Sequence, residues 1–315
     1  MRVMILGYPA ESDEEIRHCF HLFWCVLNDA LKLLPDVEIV HFDCRKYYYP
    51  QPSAQPNLAF LRERPDEIPE VDYIIVNELD VFYTEETIGL LRTKCKKVFS
   101  FLEIGELCDF SFIFYPLYHK QKRENCKILP APYSGRFYKN VKKEEKSILL
   151  DHSAWLNNHD ALANNYERSH EIYKWLDDLK GEGFKFYSMV YGSKQGEAAL
   201  ELLPDYVVPI MPCPFLEYIE RTNMMETFIV THRGSYNLSV IDMLVRGIRV
   251  ISYPGYIPIY NTARFDIPLY EDKDTFLKKV RAPIDHQHWD KQIENCTSVQ
   301  TLSEVLHDKF TEGND

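Results

Sequence analysis

The sequence predicts an α/β protein built from two parallel-sheet units in series, and three observations carry that prediction. Short Val-, Ile-, Leu- and Phe-rich runs recur at 2–8, 37–42, 71–76 and 97–103, and again at 147–150, 184–190, 227–231 and 248–251. Amphipathic stretches of helical period lie between many of them, the alternation that gives a mostly parallel sheet with helices on both faces. Residues 126–140 hold Pro130, Pro132 and Gly135 and run into the charged 139–146, the composition of an interdomain linker, after which the alternation restarts.

The elements follow in order. Strand 2–8 ends in Gly7, and helix 15–34 carries Ile16, Phe20, Phe23, Trp24, Leu27 and Leu31 at helical spacing. After strand 37–42, the proline-rich 47–69 reads as an irregular surface loop. Strand 71–76, helix 84–93 and strands 97–103 and 110–115 complete the first half. In the second half, strand 147–150 runs into Asp151, His152 and Ser153; helix 168–179, strands 184–190 and 207–209 and helix 214–223 follow. Terminal helices are expected over 276–281 and 298–310. The expected domains are 1–140 and 141–297, with 298–315 as a terminal helix packing back on the first.

The densest information lies in 227–254, TFIVTHRGSYNLSVIDMLVRGIRVISYP, which parses as strand, tight turn, helix, strand. Residues 227–231 suit a buried parallel strand, and His232, Arg233 and Gly234 form the turn. Ser235 or Asn237 caps the helix, whose apolar side carries Leu238, Ile241, Met243, Leu244 and Val245, and Gly247 stands where a C-terminal glycine belongs. Free amides at the helix start, with Tyr236 among them and Arg233 beside them, suit a bound diphosphate. Asp242, one to two turns in, is placed to reach ribose hydroxyls.

Composition narrows the function classes. The formal charge of −12 over 315 residues disfavours DNA as a partner, because phosphate contacts need a basic face. No apolar run approaches the ~20 residues of a membrane span. Apolar residues 4–6 begin a strand and acidic 11–15 follows, so a secretory signal is not expected. The eight cysteines include no CxxC pair; Cys19, Cys25, Cys95 and Cys126 read as reduced core residues of a cytoplasmic protein. His18 and His21 lack the further ligand a zinc pair needs, and no metal site is expected. Neither a GxxxxGK phosphate loop, a GxGxxG fingerprint nor a GxSxG elbow occurs.

The second half resembles the donor-binding domain of GT-B glycosyltransferases of the glycogen-synthase-like, retaining branch. The resemblance rests on the order of strand 148–151, strand and Gly loop 186–192, strand and Pro turn 207–212, the FLEYI helix at 215–219 and the helix 235–246, spanning roughly residues 146–282. It implies two Rossmann-like domains facing across a cleft, with a nucleotide sugar held by the second. His232, Arg233, Gly234, Ser235, Tyr236, Asn237, Asp242, Ser153 and the backbone at Met211 are the implied donor contacts. Two positions depart from that branch: Gly234 stands where it carries a donor-sugar glutamate, and His152, Ser153 and Ala154 stand where it carries a basic residue.

In the first half, Gly7 and Tyr8 form an acceptor-side loop in which glycine permits close approach of a ligand. Glu103 and Glu106 flank Gly105 at a strand end and are the candidates for deprotonating an acceptor hydroxyl. The expected activity is metal-independent transfer of a sugar from a nucleoside-diphosphate sugar to a glycan hydroxyl, with no cofactor beyond that co-substrate. Three other readings stay open: a viral-type DNA base glycosyltransferase, a non-catalytic nucleotide-sugar-binding protein, and a UDP-sugar epimerase.

Overall fold

The structure is a computed structural model and describes residues 1–7, 19–43, 64–76, 84–102, 107–114, 125–130, 132–137, 141–151, 167–190, 200–211, 213–231, 238–255 and 264–312. The chain divides into two compact units, the first made of Met1–Ser134 and Thr297–Asp315, the second of Gly135–Cys296.

The first unit is a parallel sheet of β1 (Arg2–Gly7), β2 (Glu38–Asp43), β3 (Tyr73–Val76), β4 (Lys97–Leu102), β5 (Phe110–Ile113) and β6 (Cys126–Ile128) in the order β2-β1-β3-β4-β5-β6. Val3–Leu6 and Tyr73–Val76 are buried along their whole length, as strands covered on both faces require. α1 (Cys19–Lys32) follows β1, and α2 (Glu85–Arg92), capped by the Thr84 hydroxyl accepting from the Thr87 amide at 3.2 Å, buries Ile88 and Leu91. Met4, Leu6, Ile74, Val76 and Val98 form one core cluster with these two residues.

Residues 126–128 correct the linker reading. They pair with β5 in register Ser111↔Cys126 and Phe112↔Lys127, forming the sixth strand. The prolines that suggested a linker act after this strand: Pro130 lies just beyond its end, and Pro132 opens β7 (Pro132–Tyr133). Proline is tolerated at such strand edges and ends.

The second unit repeats the architecture with β8 (Ser147–Leu150), β9 (Lys185–Met189), β10 (Val207–Ile210), β11 (Thr227–Ile229) and β12 (Arg249–Ile251), all parallel, in the order β10-β9-β8-β11-β12. The helices are α3 (Glu167–Trp175), α4 (Asp177–Lys180), α5 (Phe215–Asn223), α6 (Leu238–Val245), α7 (Lys273–Arg281) and α8 (His286–Asp290). The single helix expected over 168–179 is thus two, separated at Leu176, where the Leu179 amide makes a tight i→i−3 bond of 2.9 Å. Ile148, Leu150, Ile172, Leu176, Ile229 and Tyr270 belong to one buried cluster in this unit.

β13 (Thr297–Ser298) pairs with β7, and α9 (Val299–Thr311) completes the first unit. α9 packs on α1, and Phe310 stacks on Tyr73 at 4.7 Å while its carbonyl accepts from the Tyr73 hydroxyl at 2.6 Å. Among the described residues Cys95, Cys213 and Cys296 are free thiols. Burial pushes Cys95 and Cys296 up to about 12, which makes both poor nucleophiles at neutral pH. Among the described residues no helix is long and apolar enough to cross a membrane.

α6 ends in a Schellman motif: the Ile248 amide bonds Met243 O at 3.0 Å and the Gly247 amide bonds Leu244 O at 3.1 Å, with Gly247 at φ +67. A β-carbon at 247 would collide with the Asp290 carboxylate, whereas Gly183, at φ +82, has open space around it. Gly183→Ala is therefore expected to cost about 1 kcal/mol, for the left-handed backbone alone, and Gly247→Ala ~2–3 kcal/mol. Urea denaturation of both variants checks this; equal losses would show that Asp290 gives way freely.

Beside that end, the Lys143 ammonium donates to Asn223 O at 2.7 Å and Arg246 O at 2.8 Å, so one cation serves the C-termini of α5 and α6. Burial, then the Arg246 charge, lower its pKa from 10.5 to about 8, against the opposing pull of Asp290. A lysine lowered on folding keeps a penalised charge below pH ~8, and between that value and the unfolded one only the unfolded chain binds the proton. Stability relative to Lys143→Met should therefore rise between about pH 8 and pH 10.5, by ~1–2 kcal/mol after allowance for solvent screening. Denaturation at pH 7, 9 and 10.5 reads the difference, and a flat difference would show that Lys143 titrates normally.

Candidate functional site

Both sheets reverse strand order once beside their first strand, and open α/β sheets bind ligands outside the carboxyl ends of strands at such a reversal. In the first unit the reversal lies at β1, which sits between β2 and β3. Gly7 ends β1 there, paired in register with Asp43. In the second unit it lies between β8 and β11, with Asp151 following one and Thr231 just beyond the other; both residues are fully buried. The Asp151 amide bonds Ile229 O at 3.0 Å, which holds the two strand ends together. Ser188 on β9 reaches the Asp151 carbonyl at 3.4 Å and pairs with the Tyr173 hydroxyl at 2.8 Å.

β11 leads from this reversal, through 232–237, into α6. The α6 helix is buried on nearly all its described sides, so its one carboxylate needs a partner. Asp242 is only 6% exposed, and its Oδ2 pairs with Arg246 Nη2 and accepts from the Tyr218 hydroxyl at 3.2 Å. The Arg246 side chain is 0% exposed. Its Nη1 donates to Thr222 Oγ1 at 2.7 Å, its Nε to Asp242 O at 3.1 Å, and its guanidinium lies 5.6 Å from the Tyr218 ring centroid. Burial, then the Asp242 charge, raise the Tyr218 phenol well above its usual value, so it remains a donor. Among the described residues, Asp242 Oδ1 accepts no hydrogen bond.

The remaining candidates fall as follows. Met211, directly after β10, is 42% exposed at the carboxyl end of its strand. Tyr8, Glu103, Glu106, Ser153, His232, Arg233, Gly234, Ser235, Tyr236 and Asn237 lie outside the described residues, as do His18 and His152. The structure therefore brings together Asp242 with two residues the sequence reading passed over, Tyr218 and Arg246. Their signals were available: Asp242 and Arg246 stand four apart on a helix, the spacing of an ion pair, and Tyr218 is the one hydroxyl-bearing residue of the FLEYI run. Among the described residues no cluster of metal-ligating side chains occurs.

No protein-family model matches the chain, and no curated protein sequence matches it. Solved structures do. The lipopolysaccharide outer core galactosyltransferase WaaB in its apo form superposes with a TM-score of 0.59 at 12% identity, over 99% of this chain and 100% of that one. The UDP-GlcNAc 2-epimerase from Neisseria meningitidis bound to UDP-GlcNAc gives 0.59 at 10% identity, over 99% and 100%. AviGT4, a glycosyltransferase involved in avilamycin A biosynthesis, gives 0.60 at 9% identity, over 98% and 96%. Identities this low speak to architecture, and the architecture is shared from end to end in transferases and epimerases alike: the chain has the GT-B fold, two Rossmann-like domains in series.

Proposed function

We propose that the protein is a glycosyltransferase that moves a sugar from a UDP-sugar to an acceptor hydroxyl without a divalent metal. The observation that carries this reading is the end-to-end likeness to WaaB and AviGT4, in which both units find their counterparts. The second unit supplies the donor site at the β8/β11 reversal. Amides at the start of α6 and the Arg233 guanidinium hold the diphosphate, and stabilise it as it departs. Asp242 Oδ1 accepts from a ribose hydroxyl, and the backbone at Met211 meets the base. Gly7 and Tyr8 belong to the acceptor side. Glu103 and Glu106, between the end of β4 and Leu107, are the candidate bases that take the proton as the acceptor oxygen bonds to the sugar and the bond to UDP breaks. Gly234 stands at the donor-sugar glutamate's position, so the reading assigns no retaining chemistry.

The second reading is a UDP-sugar epimerase. It is favoured by the likeness to the Neisseria UDP-GlcNAc 2-epimerase, which covers both units as fully as the likeness to the transferases does. Incubation with UDP-GlcNAc, with and without a mixture of glycan acceptors, followed by NMR separates the two. Release of UDP that requires acceptor is the expected result. A new C2 epimer formed without acceptor would establish the epimerase instead.

Titration with UDP in EDTA should show binding, and a strict requirement for manganese or magnesium would overturn the metal-free reading. Arg233→Ala should weaken UDP by ~1.5–3 kcal/mol and leave uridine nearly unaffected, the range for a charge-assisted hydrogen bond. Equal weakening of both ligands would mean that Arg233 holds the fold rather than the phosphates.

A further inference from the structure

The network around Asp242 is closed at every polar atom but one. Oδ2 is taken by Arg246 and Tyr218, the Arg246 fork is taken by Asp242 and Thr222, and the Thr222 hydroxyl itself donates to Tyr218 O at 2.7 Å. What remains is Oδ1, buried and without a donor among the described residues. A carboxylate oxygen left so is costly, and the cost is relieved by any group that donates to it. The chemistry of that group is constrained by charge. Arg246 already balances the carboxylate from a wholly buried position, so a second cation would be buried uncompensated, which is strongly unfavourable. A neutral hydroxyl suits both requirements. The same balance lets the site lie near a diphosphate without the repulsion that a bare buried carboxylate would impose.

We propose that Tyr218 and Arg246 are positioning residues that fix Asp242 so that it offers one oxygen, Oδ1, to a neutral hydroxyl of the bound ligand. The inference rests on the nucleotide-sugar reading and deepens it by assigning the discrimination between a ribose and a deoxyribose ligand to a side-chain network that joins α5 to α6. Neither helix holds the carboxylate alone: Tyr218 and Thr222 come from α5, Asp242 from α6, and Arg246 from the residue that follows α6.

The test uses the full chain and two probes, UDP and 2′,3′-dideoxy-UDP, by calorimetric titration. Wild type should prefer UDP by about 10- to 100-fold, the worth of a hydrogen bond to a charged acceptor. Tyr218→Phe removes one donor to Oδ2 and keeps the Arg246 pair, so the fold should persist. The UDP preference should nevertheless fall at least about threefold as the carboxylate loses its fixed orientation. Thr222→Val, which removes the hydroxyl that holds the Arg246 fork, should lower the same ratio and serves if Tyr218→Phe proves unstable. A purely structural role would lower the melting temperature and leave the ratio unchanged, and that result overturns the proposal. Equal wild-type affinity for both probes would assign Oδ1 to a water molecule, overturning the positioning role while leaving nucleotide binding intact. Failure to bind either probe would overturn both readings.

Discussion

The second unit depends on how it accommodates a buried guanidinium. Arg246 has no solvent to satisfy it, so each of its three nitrogens is met by protein: Asp242 through side chain and carbonyl, and Thr222 through its hydroxyl. Breaking such a pair typically costs about 3–5 kcal/mol, because the remaining charge is left uncompensated. That constraint fixes α5 against α6, since the groups that satisfy Arg246 come from both. Lys143 extends it by meeting the Asn223 and Arg246 carbonyls, where helix carbonyls lack intrahelical donors. The helix α6 is thereby held at its C-terminal end by charge and at its sides by apolar packing.

The two sheets show how little sequence is needed to specify a parallel α/β unit. Strands such as Val3–Leu6 and Ser147–Leu150 are buried throughout, and short continuous apolar runs of this kind satisfy a sheet covered on both faces. Each sheet then reverses its order at one place, and that place is where backbone ends, Gly7 in one unit and Asp151 with Thr231 in the other, come together. A site there needs no special fold of its own, only side chains of the right chemistry at strand ends. This explains why structures at 9–12% identity share the architecture and yet divide into sugar transferases and epimerases.

The terminal helix illustrates a different kind of constraint. α9 follows the second unit in sequence and packs in the first, with Phe310 against Tyr73 and Phe99 and the Tyr73 hydroxyl closing on the Phe310 carbonyl. The polar tip of a buried tyrosine needs a partner, and here a long-range backbone group supplies it. The first unit's core is therefore built from two chain segments, with Pro132–Tyr133 and Thr297–Ser298 paired beside each other within it.

The sequence by itself determined the strands with continuous apolar runs, the helices with clear amphipathic period and the class of fold, because burial pattern and period are local properties of the chain. It also marked the 227–254 unit and the glycine that ends its helix, since only a left-handed residue suits that position. Tertiary structure alone decided how Asp242 is held, because Tyr218, which donates to it, and Thr222, which holds its partner Arg246, lie twenty or more residues away in sequence and arrive only when α5 packs on α6. It decided that 126–128 pair as a strand rather than link, since a three-residue run reveals its partner only through the hydrogen bonds of β5. And it decided which strands lie side by side at the reversal of each sheet, because pairing order is set by how helices cover the faces, a property of the assembled unit that no local pattern records.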